Sequence, residues 1–342
     1  MIVLTLETTC DETAAAVVNE RLEVLSSVVA SQDALHERYR GVVPEIAARA
    51  HVERMLPVVD EALRRAGITL DDLSAIAVAN TPGLAGSLVV GLVAAKTLCL
   101  ALGKPLVAVN HLHAHIYACR IASGVNVFPC VGFVVSGGHT SLYRCASPSE
   151  FTWLGGTIDD AAGEAFDKVA SMLGLAYPGG PAISRAAQRG DPRAYAFPRP
   201  FLKDESRLDF SFSGLKTAVR YAITGMGRCD FTALKLPAQQ VADLAASFQQ
   251  AVVDCLVGKA LLALRHTGLQ RLCVGGGVAA NRLLREQLTA ATRRVGAELH
   301  VAPLELCTDN AVMGAIAVER LQAHATETLD LDICPGLMRP TP

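Results

Sequence analysis

The sequence predicts an α/β fold built on a repeated plan. Strand-length apolar runs alternate with longer helical patterns, a plan of strand, polar turn and strand occurs twice, and a further strand runs through glycines into a helix. Ile2-Val-Leu-Thr-Leu6 is the first strand, Glu7-Thr-Thr-Cys-Asp-Glu-Thr13 its turn and Ala14-Ala-Ala-Val-Val18 the returning strand. Helical periodicity follows from Pro44 to Ala66 and from Gly86 to Leu102, the second closed by Gly103 and Pro105. Leu106-Val-Ala-Val109 reads as a strand leading into Asn110-His-Leu-His-Ala-His115. The second hairpin is Cys130-Val-Gly-Phe-Val-Val135, the turn Ser136-Gly-Gly-His-Thr140 and Ser141-Leu-Tyr-Arg-Cys145; a helix from Ala161 to Leu173 follows. The stretch from Ala176 to Gly227, richer in Pro, Gly, Arg and aromatics, reads as an insertion of irregular structure. Ala238 to Arg265 is helical, Arg271-Leu-Cys-Val274 a strand, Gly275-Gly-Gly277 a loop and Asn281 to Leu288 the start of an amphipathic helix. An apolar helix covers Ala311 to Leu321, and Thr326 to Pro342 reads as a surface tail.

With 342 residues, 51% hydrophobic and 19% charged, the chain is long enough for two domains with full cores and too apolar for disorder. Lys+Arg 31 against Asp+Glu 33 excludes a uniformly basic coat for nucleic acid. The charge is uneven, however: Arg185 to Arg228 holds nine Lys or Arg (Arg185, Arg189, Arg193, Arg199, Lys203, Arg207, Lys216, Arg220, Arg228) against four acids, +5, which leaves −7 elsewhere. Interleaved with Tyr195, Phe197, Phe201, Phe210 and Phe212, this segment is either an RNA-facing surface or a solvated insertion. The ten cysteines form no CxxC pair and sit in apolar runs, as expected of buried thiols in a reducing cytosol. Export is not expected, and Leu84 to Leu102, with Lys96 near its centre, reads as a buried helix with no role in a membrane. Apolar Ile46, Met55, Leu56, Val59 and Leu63 on the helix from Pro44 give it a face for a related domain or for its own sheet.

On a helix, His111 and His115 stand four residues apart and can share a metal ion, whereas His113 points elsewhere. Asp309 in Cys307-Thr-Asp-Asn310 is the best third ligand, although a helix N-cap is its alternative duty. Two imidazoles and one carboxylate suit Fe(2+) or Zn(2+) with open positions. Leu112 stands where a zincin needs its glutamate, so that chemistry fails. The Gly-rich turns at Ser136 to His139 and Gly275 to Gly277 can offer backbone N–H groups to a phosphate. Glu7, Asp11 and Glu12 crowd the first turn, where either catalysis or ordinary hairpin polarity accounts for them. Asp159, Asp160, Glu164 and Asp167 fit a solvated helix start, except Asp167, which lies too late and could accept from a ribose hydroxyl.

Together these stretches resemble one family over nearly the whole chain: TsaD, the tRNA N6-adenosine threonylcarbamoyltransferases, with archaeal and eukaryotic relatives in the KEOPS complex. The resemblance rests on Glu7-Thr-Thr-Cys-Asp-Glu-Thr13, Thr81-Pro-Gly-Leu-Ala-Gly86, Gly91 to Lys96, Asn110-His111 with His115, and Val135-Ser-Gly-Gly-His-Thr140. It continues through Gly163-Glu-Ala-Phe-Asp-Lys168, Tyr177-Pro-Gly-Gly-Pro181, Phe210 to Lys216, Gly275 to Asn281 and Cys307-Thr-Asp-Asn310. It implies the actin-like ATPase (ASKHA) fold, two ribonuclease-H-like halves with a cleft between them. Residues 1–128, completed by a C-terminal helix at 310–325, form the first half, 129–309 with the basic insertion 176–228 the second, and 326–342 a tail. The implied metal ligands are His111, His115 and Asp309, with Fe(2+) preferred over Zn(2+). The implied nucleotide or threonylcarbamoyl contacts are Val134, Val135, Ser136, Gly137, Gly138, Asp167, Gly180 and Asn281. His113 departs from the family, which usually carries an acid there.

The activity so implied is transfer of a threonylcarbamoyl group from threonylcarbamoyl-AMP to the N6 amine of the adenosine 3′ of the anticodon (tRNA position 37) in tRNAs reading codons that begin with A, with AMP released. Asp11 and Glu12 are the candidate general bases. The implied partners, all cytoplasmic, are tRNA, TsaB and TsaE, with TsaC making the adenylate. A sugar or acetate kinase of the same superfamily would need no histidine pair. The older family name, sialoglycoprotein endopeptidase, finds no catalytic residues here.

Overall fold

The structure, a computed structural model, describes residues 1–39, 41–225 and 236–336. The chain forms two compact units: Met1–Asn126 with Ser147–Phe151 and Pro303–Pro342, and Val127–Ala146 with Thr152–Ala302. The first unit contains β1 (Ile2–Glu7), β2 (Glu12–Asn19), β3 (Val24–Ser31), the short α1 (Asp33–His36), α2 (Pro44–Ala66), β4 (Ala75–Thr81), α3 (Ala85–Leu102), β5 (Leu106–Asn110) and α4 (His111–Ser123). The chain continues through β6 (Cys130–Val135), β7 (Thr140–Ser147), β8 (Glu150–Gly156), α5 (Ala162–Met172), α6 (Gly179–Ala187), α7 (Ser213–Thr224), α8 (Ala238–Thr267), β9 (Arg271–Gly275), α9 (Arg282–Arg294) and β10 (Glu298–Val301). It then returns to the first unit with α10 (Leu304–Cys307) and α11 (Ile316–Gln322).

The repetition is one of topology. The first sheet has the order β3-β2-β1-β4-β5 and the second β10-β9-β6-β7-β8. Counted from each unit's own first strand, both read 3-2-1-4-5. In each, the first two strands pair antiparallel and the first and fourth parallel. Alternation decides which way side chains face. Leu4, Leu6, Ala15 and Val17 pack with Met55, Val59, Leu63 and Leu92 of α2 and α3, while Ala14 and Ala16 pack on the other face with Ala311 and Val312. Thr5 Oγ1 donates to the Ala311 carbonyl at 2.6 Å, which ties the returning segment to β1.

The apolar face expected on α2 splits in two. Met55, Val59 and Leu63 are buried in the unit's own core, whereas Leu56 is 73% exposed and Val52 65%. On α3, Val93 and Leu100 are likewise exposed. α3 and α8 are both long and apolar enough to span a membrane; α8 is mostly buried in the second unit. The insertion is less irregular than its composition predicts, since it contains α6 and α7; its residues 226–228 lie outside the described residues. The expected tail is no free tail up to residue 336. Glu327 N donates to Leu106 O and Cys334 N to Asn80 O, and Leu331 and Ile333 join the core of the first unit. Residues 337–342 lie outside the described residues. The helix expected from Ala311 opens as a 3-10 turn, Val312–Ala315, before α11.

Candidate metal centre and catalytic turn

The histidine pair sits in the first turns of α4, directly after β5. Asn110 caps that helix by accepting from Leu112 N at 2.9 Å and His113 N at 3.2 Å. The helical offset sets the His111 and His115 rings edge to face with centroids 4.6 Å apart. From the returning segment, Asp309 Oδ1 comes within 3.5 Å of His111 Nε2 and 3.3 Å of His115 Nε2. One ligand atom from each of the three lies within 4.8 Å of the others. The capping duty belongs to Asn310, whose Oδ1 accepts from Met313 N, so Asp309 is left to face the imidazoles.

Glu7, at the carboxyl end of β1, completes the arrangement. Its Oε2 lies 3.1 Å from His111 Nδ1, and its Oε1 accepts from Thr9 N at 2.6 Å. A carboxylate at Nδ1 places a proton there and turns the Nε2 lone pair toward Asp309, the orientation a metal ligand needs. Burial alone would push His111 down, but the charges of Asp309 and Glu7 override it and raise its pKa to about 9. His115, by burial, is pushed down. Both ring nitrogens of His115 are buried; among the described residues Nδ1 has no hydrogen-bond partner, and Nε2 has only Asp309 Oδ1 beside it at 3.3 Å. A buried imidazole nitrogen held this close to a carboxylate, with no better hydrogen bond, fits a shared cation. His113 takes another path: it stacks on Phe151 at 3.9 Å, and burial pushes its pKa down to about 4. Glu7 lies in the first polar turn, but its partnership with His111 spans 104 residues and has no local signature in the sequence.

Asp11 and Glu12 lie beside this centre, and with Asp33 they form a second carboxylate cluster. Burial, then the charges of Asp309 and Asp11, push Glu12 up to about 10. A carboxyl shifted this way favours its protonated form, which favours Asp11 over Glu12 as the base.

The nucleotide candidates belong to the second unit: Val134 to Gly138 end and follow β6 and Asn281 follows β9, parallel strands at whose carboxyl ends open α/β sheets bind ligands, and Asp167 and Gly180 lie on α5 and α6. Val134 and Val135 are fully buried and offer only backbone. The turn after them is tight: Ser136 N donates to His139 O at 2.7 Å, and Gly163 N and Glu164 N at the start of α5 donate to Ser136 O and Gly137 O. Gly163 allows this, since a Cβ there would lie 2.7 Å from Gly137 Cα. Gly137 and Gly138 remain exposed and have open space where a Cβ would be. Asp167 Oδ1 accepts from Gly179 N at 2.7 Å, next to Gly180, and burial raises its pKa. Asn281 caps α9 through Leu284 N and donates to Ser184 Oγ and Gln249 Oε1. Asp159 and Asp160 have structural duties: Asp159 accepts from Ser211, Ser213 and Phe212 N, and Asp160 is bridged by Lys168 and Lys216.

Comparison with known proteins agrees with this layout. The model of a family described as TsaD, tRNA N6-adenosine threonylcarbamoyltransferase, matches residues 23–316. A relative from Rhodopirellula baltica named tRNA N6-adenosine threonylcarbamoyltransferase is 56% identical over 99% of this chain and 97% of its own. One of the same name from Anaeromyxobacter dehalogenans is 52% identical over 92% of each. Among solved structures, T. kodakarensis HypF superposes with a TM-score of 0.63 at 15% identity, over 94% of this chain and 48% of that one. The Acidaminococcus fermentans (R)-2-hydroxyglutaryl-CoA dehydratase component A gives 0.52 at 14%, over 94% and 99%. These distant neighbours share the fold alone, the actin-like ATPase class. On the family match and the near full-length identity, the chain belongs to the tRNA N6-adenosine threonylcarbamoyltransferase family, TsaD.

Proposed function

We propose that this transferase joins the threonylcarbamoyl group of threonylcarbamoyl-AMP to the N6 amine of adenosine 37 in tRNAs reading codons that begin with A. The observation that carries this reading is the convergence of His111, His115 and Asp309, with Glu7 orienting His111. These three would hold one divalent metal, Fe(2+) or Zn(2+), which when bound polarises an oxygen of the donor. The amine forms a bond to the carbamoyl carbon, the bond from that carbon to the phosphate oxygen breaks, and AMP leaves. The product is a urea. Asp11 accepts the proton that the amine gives up. Gly137 and Gly138, exposed with open space at the Cβ position, suit the phosphate, and Gly180 and Asp167 suit the nucleoside. Positioning carries much of the rate, because the amine is a weak nucleophile.

The partners on this reading are tRNA, TsaB and TsaE, with TsaC supplying the adenylate. The exposed Val52 and Leu56 of α2 and Val93 and Leu100 of α3 offer TsaB an apolar docking face. The test is metal analysis of the purified protein followed by transfer from threonylcarbamoyl-AMP to tRNA. Transfer that is lost on chelation and restored by Fe(2+) or Zn(2+) supports the reading. Full activity in metal-stripped protein sinks it.

A further inference from the structure

One buried imidazole grips the catalytic turn at both ends. His51, on α2, has no solvent exposure. Its Nε2 lies 3.1 Å from the Cys10 carbonyl oxygen and its Nδ1 2.8 Å from Thr13 Oγ1. A carbonyl only accepts, so Nε2 carries the proton. Nδ1 is then a lone pair that accepts from the Thr13 hydroxyl and, at 3.4 Å, from Gln32 Nε2. Burial pushes the ring's pKa down, in keeping with this neutral form. Cys10 and Thr13 flank Asp11 and Glu12 directly, so the ring spans the dipeptide that bears both carboxyls.

Neighbouring groups lock the same frame. Ser87 Oγ, on α3, donates to Cys10 O at 3.2 Å, and Gln32 N donates to Asp11 O at 3.1 Å. Gln32 Oε1 accepts from His36 Nε2 at 3.3 Å, and His36 Nδ1 accepts from Val43 N at 3.3 Å. The peptide plane before Asp11 is therefore held by the buried side chains of His51 and Ser87, and the plane after it by the backbone N–H of Gln32. An apolar residue at position 51 would fill the space but leave the Thr13 hydroxyl and the Gln32 amide short of a buried partner.

We propose that His51 is a positioning residue for threonylcarbamoyl transfer, setting the direction of the Asp11 carboxylate by holding Cys10 and Thr13 in one frame with α2. This inference rests on the reading of Asp11 as the proton acceptor. It is tested with the full-length chain as His51→Asn and His51→Gln, each measured for melting temperature, metal content, kcat and KM. The asparagine keeps an acceptor near Thr13 but cannot reach Cys10 O, and kcat should fall about tenfold to a hundredfold with KM unchanged. The glutamine returns a donor to the Nε2 position and should recover most of that loss. If His51→Asn does not fold, Ser87→Ala, which removes the other donor to Cys10 O, should lower kcat about threefold to tenfold. Wild-type kcat in His51→Asn overturns the inference, and in Ser87→Ala it does so where that variant carries the test. Equal losses in both His51 variants that track melting temperature also overturn it. Asp11→Asn, assayed alongside, separates the two readings. If it keeps the wild-type rate, the proton-acceptor assignment itself fails. If it is inactive while His51→Asn is normal, only the positioning role fails.

Discussion

His111 stands between two carboxylates with different duties: Asp309 faces the ring nitrogen that would bind a cation, and Glu7 holds the opposite nitrogen. Replacing Glu7 with Gln keeps the shape but removes the charge that fixes the ring. Metal affinity should fall about 10- to 100-fold, as read by titration of the metal-free protein. His111→Ala should remove metal and transfer together, and full metal occupancy in that variant would refute the site. The proton balance makes a second prediction. With its pKa raised from 6.5 to about 9 by Asp309 and Glu7 against the pull of burial, His111 stabilises the metal-free fold fully below pH 6.5. That contribution is lost as pH rises through 9. Glu12, raised from 4.5 to about 10 by burial and its acidic neighbours, acts in the same sense between those values. Thermal melts of metal-free protein should therefore show stability falling from pH 6.5 to 9. Metal affinity should rise over the same range, because a cation must displace the His111 proton.

At the scale of elements, α2 shows why apolar periodicity alone could not assign a partner surface. Met55 and Leu56 are neighbours of similar size, yet one is 3% exposed and the other 73%. Met55→Ala should cost about 2–5 kcal/mol in denaturant titration. Val52→Ser with Leu56→Ser should change stability by about 0.5 kcal/mol or less for each site and weaken capture of TsaB. The basic insertion needs a similar sorting. Arg199 is committed to Asp254 at 3.0 Å and to Phe197 O, and Arg207 to Asp209 and the Phe201 ring, whereas Arg193 and Lys203 are exposed. Charge reversal at Arg193 and Lys203 should lower the slope of log tRNA affinity against log salt by about 0.7 to 0.9 per lost phosphate contact. An unchanged slope moves the RNA surface elsewhere. The elements that were legible in sequence are those with local rules: the two hairpins, the His111 and His115 spacing, and the capped start of α4. The grip of His51 on residues 10–13, the bond from Glu7 to His111 and the helices α6 and α7 within a Pro- and Gly-rich stretch depend on contacts far apart in the chain, which no local pattern reports.

For the molecule as a whole, two sheets of one topology place their chemistry at equivalent ends. The metal candidates follow β1 and β5 in one unit, and the phosphate candidates follow β6 and β9 in the other. The duplication was visible because each copy begins with a hairpin whose turn is polar or Gly-rich. The unit boundaries were less so: 303–309 and the stretch up to 336 belong with the first unit, through pairings such as Glu327 with Leu106. That return of the chain has a bearing on how the protein is made. Domains are generally built from the N-terminus as the ribosome delivers them. Here the first sheet is synthesised early, but the segment that covers its second face and carries Asp309 is translated only after the entire second unit. During that interval His111 and His115, with Glu7 beside them, lack the third member of their set. A nascent chain thus cannot complete the candidate metal set until its final tenth is being translated, and a truncated chain ending within the second unit would lack it altogether.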